Sequence, residues 1–388
     1  MLLRNRLFGM GPLCMAAILS AASLTLNSGQ AQSAPVVDLA TVRLAETGYF
    51  QFVQKIAPGI WVLAQPKFQV QPNGNVTIIE QKDGLVLVDA GGSAGAGRRI
   101  VAIVRQLSPK PVKAIIISQW HGDKPQGLSE IIKAWPNART ISTSVTQAHL
   151  REAITMNTPG SPDAEANARY QQLLKRYIAR MQTQAAAAKT LEMKQHYDDL
   201  VLMLGQWASD LDGALTITTK ESFNDRIKID DGRAPVEAIF LGRANTDGDA
   251  VVWLPKQHIL VAGETVILPF PYGFESYPYD WISVLEKLRG YDFKILVPGH
   301  GAPQTDHVQI DKIITALKDV RTQVDALVAQ GLSLDQVRAK VDLSADTRNL
   351  VGDDPWLDYW FNAFWIEPIV TSAYKEAKGE PIVQSLRG

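Results

Sequence analysis

A mixed α/β layered core is the fold that the sequence predicts, on three observations. Short β-branched runs recur between helical stretches from about Gly59 to His300. Several of these runs are apolar throughout, as strands covered on both faces must be. Polar, glycine-containing turns follow the runs, at the strand ends where α/β folds place their sites. The composition agrees: 46% hydrophobic and 20% charged residues exclude a disordered or collagen-like chain. A formal net charge of −1 lacks the electrostatic footprint of a nucleic-acid binder, so the expected partner is a small molecule.

The first residues read as a targeting segment, a signal peptide over 1–32. Arg4 and Arg6 precede an apolar stretch from Leu7 to Leu26, and small residues around Ala31 and Ser33 suit cleavage. Bulky Leu13 before Cys14 argues against a lipid anchor, so no stable membrane anchor is expected after cleavage. The expected location is the periplasm or the exterior. Loss of Arg4 and Arg6 would take the formal charge to −3, and loss of Cys14 would leave no cysteine. Disulfides, a thiolate nucleophile and cysteine-ligated zinc are then excluded.

The expected strands are Gly59–Leu63, Val76–Glu80, Leu85–Asp89, Val112–Ile117, Leu215–Thr218, Val236–Leu241, Ala250–Leu254 and Ile259–Ala262. Between them, about 161–210, Leu173, Leu174, Tyr177, Ile178 and Met181 fall at helical spacing ahead of the Ala185–Ala188 run, which predicts an inserted helical hairpin. The stretch 305–388 is a helical C-terminal extension, with Ile310, Ile313, Ile314 and Leu317 on one face. Its aromatic cluster of Trp356, Tyr359, Trp360, Phe361, Phe364 and Trp365 is expected to pack against the sheet.

Polar residues cluster after four strands: Gln119–Gly127, Gly242–Asp249, Ala262–Thr265 and Val297–Gly301. Together with Asp89-Ala90-Gly91, this order of blocks resembles the metallo-β-lactamase superfamily over about Lys55 to Gly301. The resemblance implies an αββα sandwich over 50–304, with metal-dependent hydrolysis at one edge. Against the family's His-x-His-x-Asp-His signature the chain reads Gln119-Trp120-His121-Gly122-Asp123-Lys124. Asn245 stands at the next ligand histidine and Glu264 at the bridging aspartate, so that only His121, Asp123 and His300 match.

One implied metal would fall to Gln119, His121 and Asn245, where two amides are weak donors. The other would fall to Asp123, Lys124 and His300, and an ammonium has no lone pair to give. Two sites therefore stay open. One holds a single Zn²⁺ or other divalent ion on His121, Asp123, Glu264 and His300, with Gln119 and Asn245 as weaker ligands. The other is metal-free, with Lys124 paired to Asp123 and Glu264. The positions that depart from the family became polar and none became apolar, which suits a hydrated cleft.

His121, Asp123 and Lys124 are the candidates for proton transfer. Trp120, Tyr272, Phe274 and Tyr277 are the candidates for a substrate wall, while Asp89 and Asp249 are expected to support the site loops. His149, His196, His258 and His307 lie outside the blocks and are expected to be ordinary packing or surface residues. The function expected is an exported hydrolase of an ester, lactone, amide or similar acyl bond, with a mononuclear or metal-poor site. The alternatives are a metal-free acid–base enzyme using Lys124 and a non-catalytic ligand-binding protein.

Overall fold

Alternation along the central strands sets the layers. In β4 (Leu85–Val88), Leu85 and Leu87 join one cluster while Val86 and Val88 join another. In β11 (Ile259–Gly263), Ile259 and Val261 face the second strand cluster and Leu260 and Ala262 face away. Both strands are buried along their whole length, which is why neither carries a polar residue. The computed structural model describes residues 51–65, 68, 70, 73–154, 164–211 and 215–383. The expected signal peptide, 1–32, lies outside the described residues.

The first sheet has seven strands in chain order: β1 (Phe52–Ala57), β2 (Ile60–Ala64), β3 (Val76–Glu80), β4, β5 (Val112–Ile116), β6 (Arg139–Thr143) and β7 (Glu221–Phe223). It is antiparallel as far as β4 and parallel from there. The second sheet runs β12 (Ile295–Pro298), β11, β10 (Ala250–Leu254), β9 (Val236–Phe240) and β8 (Arg226–Ile229), with only the β11–β12 pair parallel. Side chains of both sheets, among them Val62, Val86, Ile116, Val236, Val252 and Val261, form the buried layer between them.

Helices α1 (Ala94–Leu107) and α2 (Leu128–Ala134) cover the outer face of the first sheet through Ile100, Val104, Leu128 and Ile131. Helices α6 (Pro278–Arg289) and α7 (Val308–Ala329) cover the outer face of the second. The result is the expected αββα sandwich.

The inserted hairpin is α4 (Ala164–Ala187) and α5 (Leu191–Asp210), joined through Thr190, which caps α5 by accepting from the Met193 amide. It follows α3 (Ser144–Ile154) and docks on the core through Leu174, Met181, Leu200 and Trp207. An Arg99–Asp210 ion pair of 2.5 Å ties it to α1. The C-terminal extension continues through α8 (Leu334–Arg338), α9 (Ser344–Val351), α10 (Pro355–Phe361), a π-helical segment (Asn362–Ile366) and α11 (Glu367–Ala377). Among the described residues no helix is long and apolar enough to cross a membrane.

Two expectations are corrected. Residues 215–219 form no strand. Their polar groups bond to α3 instead of to a ladder, with Gln147 Nε2 donating to the Thr219 carbonyl and Thr218 Oγ1 to the Gln147 carbonyl. The C-terminal aromatic cluster packs not on the sheet but on the hairpin, the 270–274 loop and α6. Trp356 stacks on His196 at 5.0 Å, Phe361 meets Phe270 at 5.3 Å and Trp365 meets Trp281 at 6.0 Å.

Candidate functional site

The two sheets deliver their polar turns to one edge, and buried amides and carboxylates lock the turns together. After β4, Asp89 sits in the left-handed region at φ 69° and accepts from the Ser118 amide and hydroxyl, both at 2.8 Å. Burial pushes the Asp89 carboxyl up to about 6. After β9, Asp249 accepts from the amide and hydroxyl of Thr246, and burial lifts its carboxyl to about 7. Asn75, ahead of β3, donates to the carbonyls of Pro298 and Gly301 at 2.8 Å, which fixes the turn after β12.

At the centre of this edge Lys124 is completely buried. Its Nζ lies 2.6 Å from Glu264 Oε1 and 3.2 Å from Asp123 Oδ2, and it donates to the Gly299 carbonyl at 3.0 Å. The Gly299 carbonyl is its hydrogen-bond acceptor, and the two carboxylates face it as ion-pair partners. Burial alone would lower the lysine pKa, but the charges of Glu264, then Asp123 and Asp89, outweigh it and hold the group above its ordinary value. Glu264 is held well below the carboxylate range: burial opposes ionisation, and Lys124 and His300 overcome it.

His300 Nε2 sits 3.2 Å from both Asp123 Oδ2 and Glu264 Oε1. Burial works against its protonation, yet Glu264 raises its pKa. The backbone makes room for this cluster. A Cβ at Gly74 would lie 1.9 Å from Lys124 Nζ, and one at Gly299 would lie 2.2 Å from Glu264 Oε1.

A second group adjoins it. His121 Nε2 is 3.6 Å from Glu275 Oε2, and this carboxylate raises the imidazole pKa against the effect of burial. Gln119 Oε1 accepts from the His121 amide. Trp120 lies 4.5 Å from both His121 and His149 and donates to Asp247 Oδ1 at 3.1 Å. His149 Nε2 is 3.0 Å from Asp247, whose pKa stays low although burial opposes this. Tyr272 joins the two groups: its carbonyl accepts from Asn245 Nδ2 at 2.6 Å, and its ring stands 5.1 Å from His300.

With this geometry in view, comparison with known proteins is informative. The sequence model of the metallo-β-lactamase superfamily matches residues 71–165, the stretch that carries Asp89 and Gln119–Lys124. A linear primary-alkylsulfatase from Pseudomonas sp. (strain ATCC 19151) is 25% identical over 299 residues, 73% of this chain and 52% of that one. Residues 71–165 thus match the metallo-β-lactamase superfamily, whose fold the chain shares. The chain spans about half the length of that curated relative.

Among solved structures of the superfamily fold, the stereoselective inverting sec-alkylsulfatase Pisa1 from Pseudomonas sp. superposes with a TM-score of 0.55 at 16% identity, covering 84% of this chain and 50% of that one. A metallo-β-lactamase from Pontibacter korlensis superposes at 0.47 with 18% identity, covering 69% and 99%. These likenesses are of fold.

The superfamily's two-metal centre does not fit the residues present. Gln119 Oε1 accepts from the His121 amide and its Nε2 is buried without a partner, so this side chain offers a cation at most one weak, neutral oxygen. Beside it remain one imidazole and the unpartnered Oδ1 of Asn245. At the second position Asp123, Glu264 and His300 bring ligand atoms within 4.8 Å of one another, a set able to hold one ion, but Lys124 Nζ stands against two of the three. Asp123, Lys124, Glu264 and His300 therefore form one cluster, His121 and Gln119 a neighbouring group, and Asn245 the contact to Tyr272.

Of the expected wall residues, Trp120 packs on His121, Tyr272 on His300 and Phe274 on Phe364 at 5.5 Å. Tyr277 instead turns its ring beneath Arg243, 4.4 Å away. Three residues escape a reading of the motif blocks alone, Gly74, Glu275 and His149, while Asp247 lies in the Gly242–Asp249 block but is not singled out there. The Asn73-Gly74-Asn75 turn between two strands was a signal for the first. Glu275, at φ 51°, carried none visible in the sequence.

Proposed function

We propose that this superfamily hydrolase is exported and cleaves small amphipathic esters, with sulfate esters of aliphatic alcohols as the first class to try. One observation carries the reading: an aromatic wall begins at the polar cluster itself. From the His300 contact, Tyr272 leads to Phe364 at 5.4 Å and Phe270 at 6.2 Å, and Phe68 lies 5.2 Å from Phe270. Phe68, Tyr272 and Phe274 keep part of their surface exposed, backed by buried Phe270, Phe361 and Phe364. A ligand with a polar head and an apolar tail matches this arrangement. The name of the alkylsulfatase relative supports the same class, and the Arg4–Ser33 segment supports export.

The head would meet a row of buried unpartnered polar atoms: Gln119 Nε2, His121 Nε2, Asn245 Oδ1 and His300 Nδ1. Gln119 Nε2 and the His300 imidazolium donate to oxygens of the head and stabilise charge developing there. His121 Nε2 takes a proton from the attacking water, and Glu275 stabilises the imidazolium that forms. The water oxygen bonds to the electrophilic centre, the ester bond breaks with its electron pair on the leaving oxygen, and that oxygen takes the proton back.

The test is turnover of matched dodecyl esters (sulfate, phosphate and acetate), with a lactone and an amide alongside, followed by product release. Sulfate or acetate release that disappears in His121→Ala supports the reading. Ligand binding without turnover of any class would overturn it and favour a binding protein.

A further inference from the structure

The cluster around Lys124 carries an inference that stands apart from the substrate class. We infer that Lys124 is a built-in cation that replaces the superfamily's metal ion, so that this chain needs no metal to fold or to hold its site in order. Four independent features point to it. First, the ammonium occupies the convergence point: the ligand atoms of Asp123, Glu264 and His300 lie within 4.8 Å of one another, and Nζ is 2.6 and 3.2 Å from two of them. Zinc–oxygen bonds of about 2.0–2.2 Å would put an ion into that same space.

Second, the ammonium is held from three sides: it donates to the Gly299 carbonyl and pairs with Glu264 and Asp123, and the side chain has no exposure to water that would let it swing out. Third, the backbone is shaped around it, since any Cβ at position 74 would meet Nζ at 1.9 Å and Cε at 2.9 Å. Fourth, the neighbouring position is a poor refuge for the ion, because Gln119 and Asn245 offer only weak amide oxygens beside a single imidazole, and the Gln119 oxygen already accepts from the His121 amide. The Lys124 ammonium thus sets positive charge against Asp123 and Glu264 where a bound cation would otherwise supply it.

The test uses the whole protein, stripped with a chelator and then equilibrated with Zn²⁺ or Mn²⁺, read by elemental analysis, calorimetric titration and melting temperature. Wild type is expected to keep only substoichiometric metal and the same melting temperature with chelator or with ion. Lys124→His removes the ammonium and adds a ligand to the triad. It is expected to take up about one ion per chain, at least tenfold tighter than wild type, and to melt higher as metal is added. Lys124→Met, which fills the stem's volume, is expected to gain metal binding in the same way. One ion per wild-type chain, lost in Asp123→Asn, overturns the inference whatever the variants do. Folded Lys124 variants that bind no metal also overturn it, because the lysine would then not be standing in an ion's place.

Discussion

Gly74→Ala probes the buried ammonium without touching any charged group. The added methyl would lie 1.9 Å from Lys124 Nζ and 2.9 Å from Asp123 Oδ2. Restoring an ordinary contact of 3.4 Å asks Nζ to move by about 1.5 Å. That breaks the 2.6 Å contact to Glu264 or the 3.0 Å bond to the Gly299 carbonyl. Deleting one partner of a buried ion pair costs about 3–5 kcal/mol, and displacing rather than deleting it should cost about 2–4 kcal/mol. With an unfolding entropy of about 2.1 cal/mol/K per residue, a chain of this size then melts lower by about 2.5–5 °C.

In a Lys124→Ala background the 1.9 Å clash is gone, and the remaining 2.9 Å approach is to an Asp123 carboxylate that the ammonium no longer ties down. There the same change should be neutral or stabilising by about 0.4–1 kcal/mol, because alanine restricts the unfolded chain. Melting of the four proteins, followed by near-ultraviolet circular dichroism, gives the coupling, expected to be at least about 2 kcal/mol. Equal cost of Gly74→Ala in both backgrounds would refute the placement of the ammonium against this glycine.

Other outcomes follow from the same contacts. His121→Ala should lower kcat by about 10²–10⁴, as expected for loss of a general base, with near-normal folding; a loss below tenfold would remove His121 from the chemistry. Phe364→Ala, which thins the wall behind Tyr272 and Phe274, should raise KM for long-chain esters more than for short ones, read from kinetics on a chain-length series.

Glu376 gives a pH test outside the polar cluster. Burial lifts its carboxyl to about 7, with Asp280 adding to the effect and Arg243 and Arg321 opposing it. A raised carboxyl contributes stability that is present below its unfolded value of about 4.5 and lost as pH rises through 7. Glu376→Gln, whose amide oxygen can still accept from the Tyr279 amide, should gain about 1–2 kcal/mol on wild type between pH 5 and pH 8.5 after allowance for solvent screening. A pH-independent difference in melting temperature would contradict this.

Much of the sandwich was legible because burial on both faces leaves a continuous apolar run, as in Leu85–Val88 and Ile259–Gly263. The Leu215–Thr218 run looked equally strand-like, and only its partner, Gln147 on α3, decides that its groups bond elsewhere. The aromatic helix was recognised, but its partners were not, because His196 and Phe270 reach Trp356 and Phe361 from distant parts of the chain. At the site, ordered blocks after strand ends located Gln119–Lys124, Asn245, Glu264 and His300. The position of the Lys124 head depends on Gly74 and Gly299, two absent side chains whose importance appears only as space. His149 read as an ordinary residue because its partner Asp247 lies across the fold, where it carries Trp120 beneath His121.

A lysine where the superfamily pattern places a metal ligand implies ester cleavage that needs no metal ion. The most direct test is the rate of ester cleavage by chelator-treated, metal-free protein, with and without added zinc. The account predicts the same rate in both, with zinc content staying far below one ion per chain. A rate that vanishes on chelation and returns as zinc approaches one ion per chain would contradict it.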